Sequence, residues 1–214
     1  FTNNDSAYQT ALDLAQRGIQ VAAVIDSRIG GADGALSAIL DAEGIPMMLG
    51  HIVCDVIGRH RVSGVKVARW QGDANEIVDG DTQIACDLLA MSGGWSPAIH
   101  LHSQSGGKSH WDSELSCFLP DEHSQLNCSA GAGRGKWSLS ACLMDGLSSG
   151  LEAAVRCGFE SPDIPVPTSV DHQENPIESL WRVPATQDID QCAKQFLDFQ
   201  NDTSVADVRQ AVRE

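Results

Sequence analysis

The stretch that decides the fold is IQVAAVI, residues 19–25, which ends at Asp26. It is a continuous apolar run rich in β-branched residues, which is typical of a strand buried on both faces of a parallel sheet. Before it, residues 5–17 carry apolar side chains at helical spacing, and Gly18 stands where a left-handed C-cap is needed. After it, residues 32–44 predict a second helix that ends at a glycine. This order predicts the middle of a βαβ unit, with Phe1 closing the preceding strand.

The pattern changes after the second helix. Residues 45–78 contain short β-rich runs separated by glycine or charged turns, which predict an antiparallel meander. Residues 82–91, TQIACDLLAM, are predicted to return to a buried strand. The fold class is therefore predicted to be α/β: a partial FAD/NAD(P)-binding domain, Rossmann-like and three-layered (β/β/α), with an inserted antiparallel β-meander.

Further along the chain, residues 99–102, IHLH, predict a short strand followed by a polar loop. A small-residue loop over 128–135 leads into a long, apolar-striped helix over 138–157. The predicted boundaries are 1–158 for the C-terminal part of a reductase-like NAD-binding domain and 159–190 for a linker rich in proline and acids. Residues 191–214 are predicted to begin the next small domain, with a strand-like run and a helix capped by Asp202 or Thr203.

Composition excludes several classes of partner. The chain has 14 Lys+Arg against 29 Asp+Glu, a net charge of -15, so nucleic acid and anionic membranes would be repelled. No apolar stretch approaches the roughly 18 to 20 residues of a membrane span. The 7 cysteines are odd in number and form no CxxC pair, which favours reduced thiols and a cytoplasmic protein. Because it opens on Phe1, the chain is expected to be an internal fragment.

The strongest candidate for binding is the loop AGAGRGKWSL, residues 130–139. Glycine and alanine let a ligand approach the backbone, and the unpaired N–H groups of the following helix favour phosphate or carbonyl oxygens. The alternative is a tight turn that needs glycine only for steric reasons.

A second candidate lies at the end of the second predicted strand, the one that follows the strand closed by Phe1. Asp26 stands where a dinucleotide fold places the acid that binds a ribose hydroxyl, and Arg28 could pair with a phosphate. The turn at residues 2–6, TNNDS, has no glycine for a close pyrophosphate approach. This crossing is therefore interpreted as a degenerate, empty nucleotide site, with Asp26 more simply a strand-end cap.

Residues 102–109, HSQSGGKS, differ from a P-loop chiefly in that His102 replaces the first glycine. No acid for magnesium is evident on a second strand, so nucleotide hydrolysis is disfavoured and a binding or interface loop is preferred. His100 and His102 would share one face of the predicted strand, with His110 nearby. A zinc site needs four convergent ligands, so hydrogen-bonded or solvated histidines are the favoured interpretation.

Several stretches are distinctive when they are taken together: FTNNDSAYQTALDLA with VAAVIDSR, CDLLAMSGGWSPAIHLHSQSGGKSHWD, SAGAGRGKWSLSACLMDG and QFLDFQNDTSVADVRQAVRE. With these stretches, the chain resembles the α subunit of heterotetrameric sarcosine oxidase. The resemblance implies a reductase-like fold whose first dinucleotide motif precedes this chain. It also implies an NAD site completed by five residues: Ala132, Gly135, Trp137, Ser138 and Leu139.

The same resemblance implies partners and further cofactors. The flavins FAD and FMN act in the assembled enzyme, and sarcosine is oxidatively demethylated in the β subunit, with one-carbon transfer to tetrahydrofolate. The folate would bind elsewhere in the α subunit, and the β, γ and δ subunits would be partners. No catalytic residue or metal ligand is predicted in this chain, and we expect it to be inactive alone. Two alternatives stay open: a non-catalytic scaffold with a vestigial nucleotide site, or a subunit of a related amine or opine dehydrogenase.

Overall fold

The structure is a computed structural model that describes residues 1–32, 34–70, 72, 82–121, 125–160, 162–166, 168–169, 175–184, 195–198 and 200–214. They form two compact units. The first comprises Phe1–Gly94 with Glu178–Glu214, and the second comprises Trp95–Ile177. The predicted domains 1–158, 159–190 and 191–214 stay a prediction.

The first unit opens with the predicted βαβ pattern. Its elements are α1 (Ser6–Gln16), β1 (Val24–Asp26), α2 (Gly34–Ala42) and β2 (Met47–Leu49). Strands β1 and β2 are parallel, with Val24 opposite Met47. Thr2 makes isolated parallel bridges to Asp26 and to Ser92, so the chain near Thr2 lies between them. These pairings confirm the α/β class and the Rossmann-like order of this part.

Strand β1 begins at Val24, so it is shorter than the predicted run 19–25. The first residue of that run, Ile19, belongs to the C-cap of α1. Gly18 has φ +76°. The N–H of Gly18 donates to the Ala15 carbonyl at 2.9 Å and the N–H of Ile19 to the Leu14 carbonyl at 3.0 Å. This is a Schellman C-cap, which engages Ile19 before extended structure can begin.

The core of this part lies between the two helices and β1. Its most buried members are Tyr8, Leu12, Val24 and Leu40, each no more than 5% exposed. They come from the apolar faces that helical spacing predicted for α1 and α2 and from the buried strand. The hydrophobic contact between α1, α2 and β1 therefore holds the C-terminal end of β1, with Asp26, in a fixed place.

The predicted meander is present as a three-stranded antiparallel sheet in the order β3–β4–β5. Its strands are β3 (His51–Ile57), β4 (Gly64–Arg69) and β5 (Thr82–Ile84). Its predicted start at residue 45 is wrong, because Met47–Leu49 pairs in parallel with β1 instead. The run at 75–80, NEIVDG, lies outside the described residues.

The predicted buried strand over 82–91 is also wrong. Only Thr82–Ile84 is a strand, and it runs antiparallel to β4, with Val65 opposite Ile84. Leu88 and Met91 are 74% and 72% exposed. Apolar content alone predicted burial here, whereas the first residues of the run hydrogen-bond to the available edge of β4.

The second unit contains α3 (His100–Gln104), the hairpin β6 (Ser109–Asp112) and β7 (Cys117–Pro120), and α4 (Leu139–Arg156). The strand predicted at 99–102 is wrong: these residues enter a short helix in which the Ser103 N–H donates to the Ile99 carbonyl at 2.9 Å. Four alternating residues are too few to separate the two periods. The long helix predicted over 138–157 is confirmed.

The chain ends with β8 (Phe196–Asp198), β9 (Thr203–Ser204) and α5 (Val205–Arg213), which belong to the first unit. The strand-like run and the helix are confirmed, but the cap is neither Asp202 nor Thr203. Ser204 caps α5 in a capping box with Asp207. No helix in the described part of the chain is long and apolar enough to cross a membrane.

Candidate functional site

In the glycine-free turn at residues 2–6, side chains of the turn itself hydrogen-bond at the start of α1. Asn4 Oδ1 accepts hydrogen bonds from the backbone N–H of Ser6 at 3.2 Å and from the Ser6 hydroxyl at 2.6 Å. Its amide nitrogen donates to the Ser92 hydroxyl at 2.9 Å. The Asn4 side chain thus supplies an acceptor at the start of α1, where a dinucleotide fold would direct N–H groups at a phosphate.

The acid at the end of β1 is likewise engaged by protein groups. Arg28 Nη2 lies 2.8 Å from Asp26 Oδ2 and 2.7 Å from Asp5 Oδ1, and all three side chains are at most 2% exposed. The Tyr8 hydroxyl donates to Asp26 Oδ2 at 2.9 Å. Burial raises the pKa of the Tyr8 hydroxyl above its ordinary value, and the Asp26 carboxylate raises it further. Asp26 and Arg28 form a buried structural network, which supports the interpretation of Asp26 as a strand-end cap.

The loop at residues 102–109, whose sequence is similar to that of a P-loop, is filled by the side chain of its own His102. His102 Nε2 lies 2.6 Å from the Lys108 carbonyl oxygen. The ring packs so closely on Gly107 that a Cβ there would lie 2.3 Å from His102 Cε1. Because the imidazole occupies the loop interior, there is no cradle for a phosphate. A role as an interface loop stays a prediction.

His100, His102 and His110 do not lie on one strand. His100 and His102 lie on α3 rather than on a strand, so the predicted shared strand face is wrong. His110 lies on β6, with Nδ1 4.0 Å from an Asp121 carboxylate oxygen. No group of three or more metal-ligating side chains occurs within the residues that the structure describes.

The loop 130–139 forms a 3-10 turn, Gly131–Arg134, and residues 135–138 connect it to α4, which begins at Leu139. Gly131 and Gly135 have φ +60° and +73°, a conformation that glycine adopts without strain. A Cβ on Gly135 would lie 2.7 Å from Leu119 Cδ2 and 2.9 Å from Leu115 Cδ1. Gly135 is therefore required by backbone conformation and by packing, as the steric alternative proposed.

The start of α4 is capped by Ser138, whose hydroxyl accepts from the Ala141 N–H at 3.3 Å. The Leu139 side chain beside it is 62% exposed. Ala132 is exposed, and Trp137 is partly buried. The five residues predicted for the cofactor thus lie on one short stretch that runs from the 3-10 turn to the start of α4. The amide of Leu139 is in the helix position that has no intrahelical acceptor.

One residue of this site was missed by the sequence analysis. Asp145, on the second turn of α4, accepts the Gly131 N–H at Oδ2 (2.7 Å) and pairs through Oδ1 with Arg134 Nη1 (3.0 Å). The sequence offered only a weak signal, an acid three residues after Cys142 on a helix that is otherwise largely apolar. The partners lie 14 residues apart for Gly131 and 11 for Arg134, beyond any helical spacing.

Comparison with known proteins supports the resemblance drawn from the sequence. The chain is 35% identical over 98% of its length to sarcosine oxidase subunit alpha of Corynebacterium sp. (strain P-1). It is 36% identical over 100% of its length to sarcosine oxidase subunit alpha of Rhizobium meliloti (strain 1021). It spans 22% and 20% of the lengths of these two proteins, about a fifth of each. The predicted similarity to sarcosine oxidase α subunits is thereby confirmed.

Two other comparisons complete the description. No protein-family profile matches the chain. Among solved structures, the L-proline dehydrogenase from P. horikoshii aligns with 89% of this chain and 36% of its own chain, at a TM-score of 0.48 and 18% identity.

Proposed function

We propose that this chain, similar throughout to part of the sarcosine oxidase α subunits, is the NAD-binding part of such a subunit. The observation that carries the proposal is the loop 130–139, which the resemblance assigns to NAD. The five assigned residues follow one another from the 3-10 turn, with Ala132, through the connection, with Gly135 and Trp137, to the start of α4 at Ser138 and Leu139. Oxidation of sarcosine itself would take place outside the described residues.

The chemistry of this loop suits an anionic cofactor through the backbone. Helix α4 has 18 residues, so its N-terminus presents a partial positive charge, and the Leu139 amide stands at the first helical position, which has no intrahelical acceptor. Trp137 and Leu139 carry no hydroxyl, so contacts to the phosphates would come from backbone N–H groups and from Lys136, which is exposed. The exposed side chain of Leu139 offers an apolar surface for a ring of the cofactor.

Within the complete enzyme, NAD would be bound by this subunit and the flavins FAD and FMN elsewhere in the assembly. The proposed reaction is oxidative demethylation of sarcosine, with the one-carbon unit passed to tetrahydrofolate bound elsewhere in the subunit. The β, γ and δ subunits would be its partners. We also propose a cytoplasmic location, because the 6 cysteines in the described part of the chain are not joined in disulfides.

The experiment that tests the proposal is calorimetric titration of the complete native protein with NAD+, in wild type and in variants of Leu139. Leu139→Glu places a negative charge at the first helical position, where it stabilises α4 through the helix dipole but repels a phosphate. Leu139→Gln is the neutral match. Ser148→Glu adds the same charge to an exposed position farther along α4.

If the loop binds NAD, Leu139→Glu should raise the Kd about 10-fold or more, the effect of roughly 1.4 kcal/mol of repulsion. Leu139→Gln and Ser148→Glu should each stay within about threefold of wild type, because neither places a charge beside the amides. Equal NAD+ affinity in Leu139→Glu and Leu139→Gln would refute the site. Failure of the complete enzyme to turn over sarcosine would refute the reaction.

A second candidate function is a non-catalytic assembly scaffold, and the filled turn at residues 2–6 favours it. There, Asn4 and the Arg28 network occupy what would be a nucleotide crossing. The same titration separates the two functions: a scaffold would show no heat of NAD+ binding while still assembling with its partner subunits. A related amine or opine dehydrogenase is distinguished by comparing kcat/KM for sarcosine with that for other secondary amines and for opines.

A further inference from the structure

Helix α4 does more than follow the loop 130–139, because two of its side chains reach back to hold it. The carboxylate of Asp145 accepts the Gly131 N–H at 2.7 Å, with the carboxylate only 16% exposed. Three residues earlier on the same helix face, the Cys142 thiol donates to the Lys136 carbonyl at 2.9 Å. The Lys136 N–H in turn donates to the Gly131 carbonyl at 3.2 Å. Both ends of the turn are thus tied to α4.

Asp145 makes the stronger of these contacts. A hydrogen bond from a backbone N–H to an ionised carboxylate is roughly twice as strong as one between neutral groups. Gly131 is buried, so its N–H would have no solvent to replace a lost acceptor. The turn Gly131–Arg134 therefore depends on a side chain that lies well beyond it in sequence.

The ion pair between Asp145 and Arg134 contributes less to the stability of the turn than the hydrogen bond to Gly131. Arg134 is 49% exposed, and pairs at such positions are screened by water and salt. The pair has a local consequence, however, because it balances the negative charge of Asp145 close to a loop proposed to receive an anion. The carboxylate can therefore hold the Gly131 amide without leaving an uncompensated charge beside the ligand.

We infer that Asp145 is a positioning residue for the cofactor loop: by holding the Gly131 amide, it fixes the turn that places residues 137–139 at the start of α4. It does not touch the cofactor. This inference rests on the proposed NAD site for its functional consequence, but its structural part concerns the protein without ligand and can be tested separately.

The test compares three variants of the complete native protein. Asp145→Ala removes the acceptor and the charge, Asp145→Asn keeps an acceptor oxygen without the charge, and Arg134→Gln removes only the ion pair. Amide hydrogen exchange is measured without ligand for peptides covering 130–137 and, as a check on folding of α4, for peptides covering 150–156. NAD+ affinity and the sarcosine KM and kcat are measured on the same samples.

We expect Asp145→Ala to speed exchange in 130–137 by about 10- to 100-fold, because a buried amide loses a charged acceptor. Asp145→Asn and Arg134→Gln should change exchange by no more than about fivefold, since the Gly131 amide keeps an acceptor. NAD+ affinity should follow the same order, and rescue by Asn would show that the acceptor matters rather than the charge. The sarcosine KM should not change, and exchange in 150–156 should match wild type.

Two results would overturn the inference: equal exchange in 130–137 for Asp145→Ala and wild type, or Arg134→Gln as damaging as Asp145→Ala. If Asp145→Ala does not fold, Asp145→Ser, whose side chain is too short to make both contacts, takes its place. Wild-type protein that binds no NAD+ would refute the proposed function and leave the exchange result to decide the role of Asp145. Wild-type protein that binds NAD+, with all variants equal to it, would refute the role of Asp145 alone.

Discussion

Three glycines of the loop 130–139 allow a graded substitution series in which backbone strain and packing are separated. Gly133 has no positive φ, and a Cβ there would lie 4.0 Å from its nearest neighbour, Ser129 Cβ. Gly131 has φ +60°, and a Cβ there would be in ordinary van der Waals contact, with the nearest atom, Cys142 Sγ, at 3.5 Å. Gly135 combines φ +73° with 2.7 Å to Leu119 Cδ2. Each is replaced by alanine.

The expected losses of stability follow from these distances. Gly133→Ala should lie within about 0.5 kcal/mol of wild type or be slightly more stable, because alanine restricts the unfolded chain. Gly131→Ala should cost about 1 to 2 kcal/mol for a left-handed residue with a Cβ. Gly135→Ala should cost that amount plus about 1 to 3 kcal/mol of overpacking against Leu119 and Leu115, whose side-chain ends can yield in part.

The assay is hydrogen exchange of the loop and of the first turns of α4 in the complete native protein, which reports the free energy of local opening. NAD+ affinity is measured beside it. We expect stability to fall in the order Gly133→Ala, Gly131→Ala, Gly135→Ala. Gly135→Ala is also expected to bind NAD+ most weakly, because the turn must shift to relieve the contact.

Equal stability of Gly135→Ala and Gly133→Ala would refute the structural reasoning, since φ and packing would then not limit the loop. If Gly135→Ala instead loses the stability expected but keeps full NAD+ affinity, Gly135 has only the steric role and the cofactor assignment of this residue is wrong. The series therefore decides between the two interpretations of the glycines that the sequence left open.

Other predictions concern the buried network and the cap of α4. Arg28→Met should destabilise the first unit by about 3 to 5 kcal/mol, measured by urea denaturation, because it leaves the carboxylates of Asp5 and Asp26 buried without their cation. Arg28→Met should not change NAD+ affinity; a large change would place the cofactor at the first unit. The raised pKa of Tyr8 means that folding favours its neutral hydroxyl, so this stability is present below pH about 10 and lost as pH rises above it. The free energy of unfolding of Tyr8→Phe should be about 1 to 3 kcal/mol lower than that of wild type at neutral pH. The variant should lack the loss of stability at alkaline pH that the Tyr8 hydroxyl causes, and an alkaline loss as large as in wild type would contradict this role of Tyr8. Ser138→Ala should destabilise α4 by about 0.5 to 2 kcal/mol in hydrogen exchange, whereas Ser138→Asp, which keeps a capping oxygen, should not.

Local chemistry in the sequence predicted several elements well. Helical spacing and the glycines at 18 and 44 predicted α1 and α2, and the small-residue loop before Ser138 predicted the start of α4. In each case the signal and the structure involve neighbours in sequence: a cap, a left-handed glycine or an apolar stripe. The short β-rich runs separated by glycine or charged turns were sufficient to predict β3 and β4 for the same reason.

The predictions from the sequence were wrong where the local structure depends on contacts with residues that are distant in the sequence. Residues 82–91 are rich in apolar residues, but only the first three of them pair with the edge of β4. Residues 99–102 form a helix that is followed by the loop holding the His102 ring. Met47–Leu49 became a parallel strand because β1 lies beside it. Sequence patterns record which residues prefer burial, but not which strand edge or loop will receive them.

At the candidate site, too, features set by sequence neighbours were predicted, whereas contacts between distant residues were not. The positions of Ala132, Gly135 and Ser138 at the turn and helix start followed from their local pattern. Asp145 did not, because its contact with Gly131 spans 14 residues and depends on how α4 lies against the turn. The buried pairing of Arg28 with Asp5 also joins residues far apart, and only the folded chain reveals that this cation is engaged by protein carboxylates.

The most direct test of the account is hydrogen exchange of the complete native protein with and without saturating NAD+, compared between two peptides. If residues 130–139 bind NAD+, the amides in 130–139 should exchange more slowly when NAD+ is bound. The exchange rate in 2–6 should not change, because Asn4 and its neighbours already occupy that turn. NAD+ binding that is proved by calorimetry but protects 2–6, or leaves 130–139 unchanged, would contradict the account.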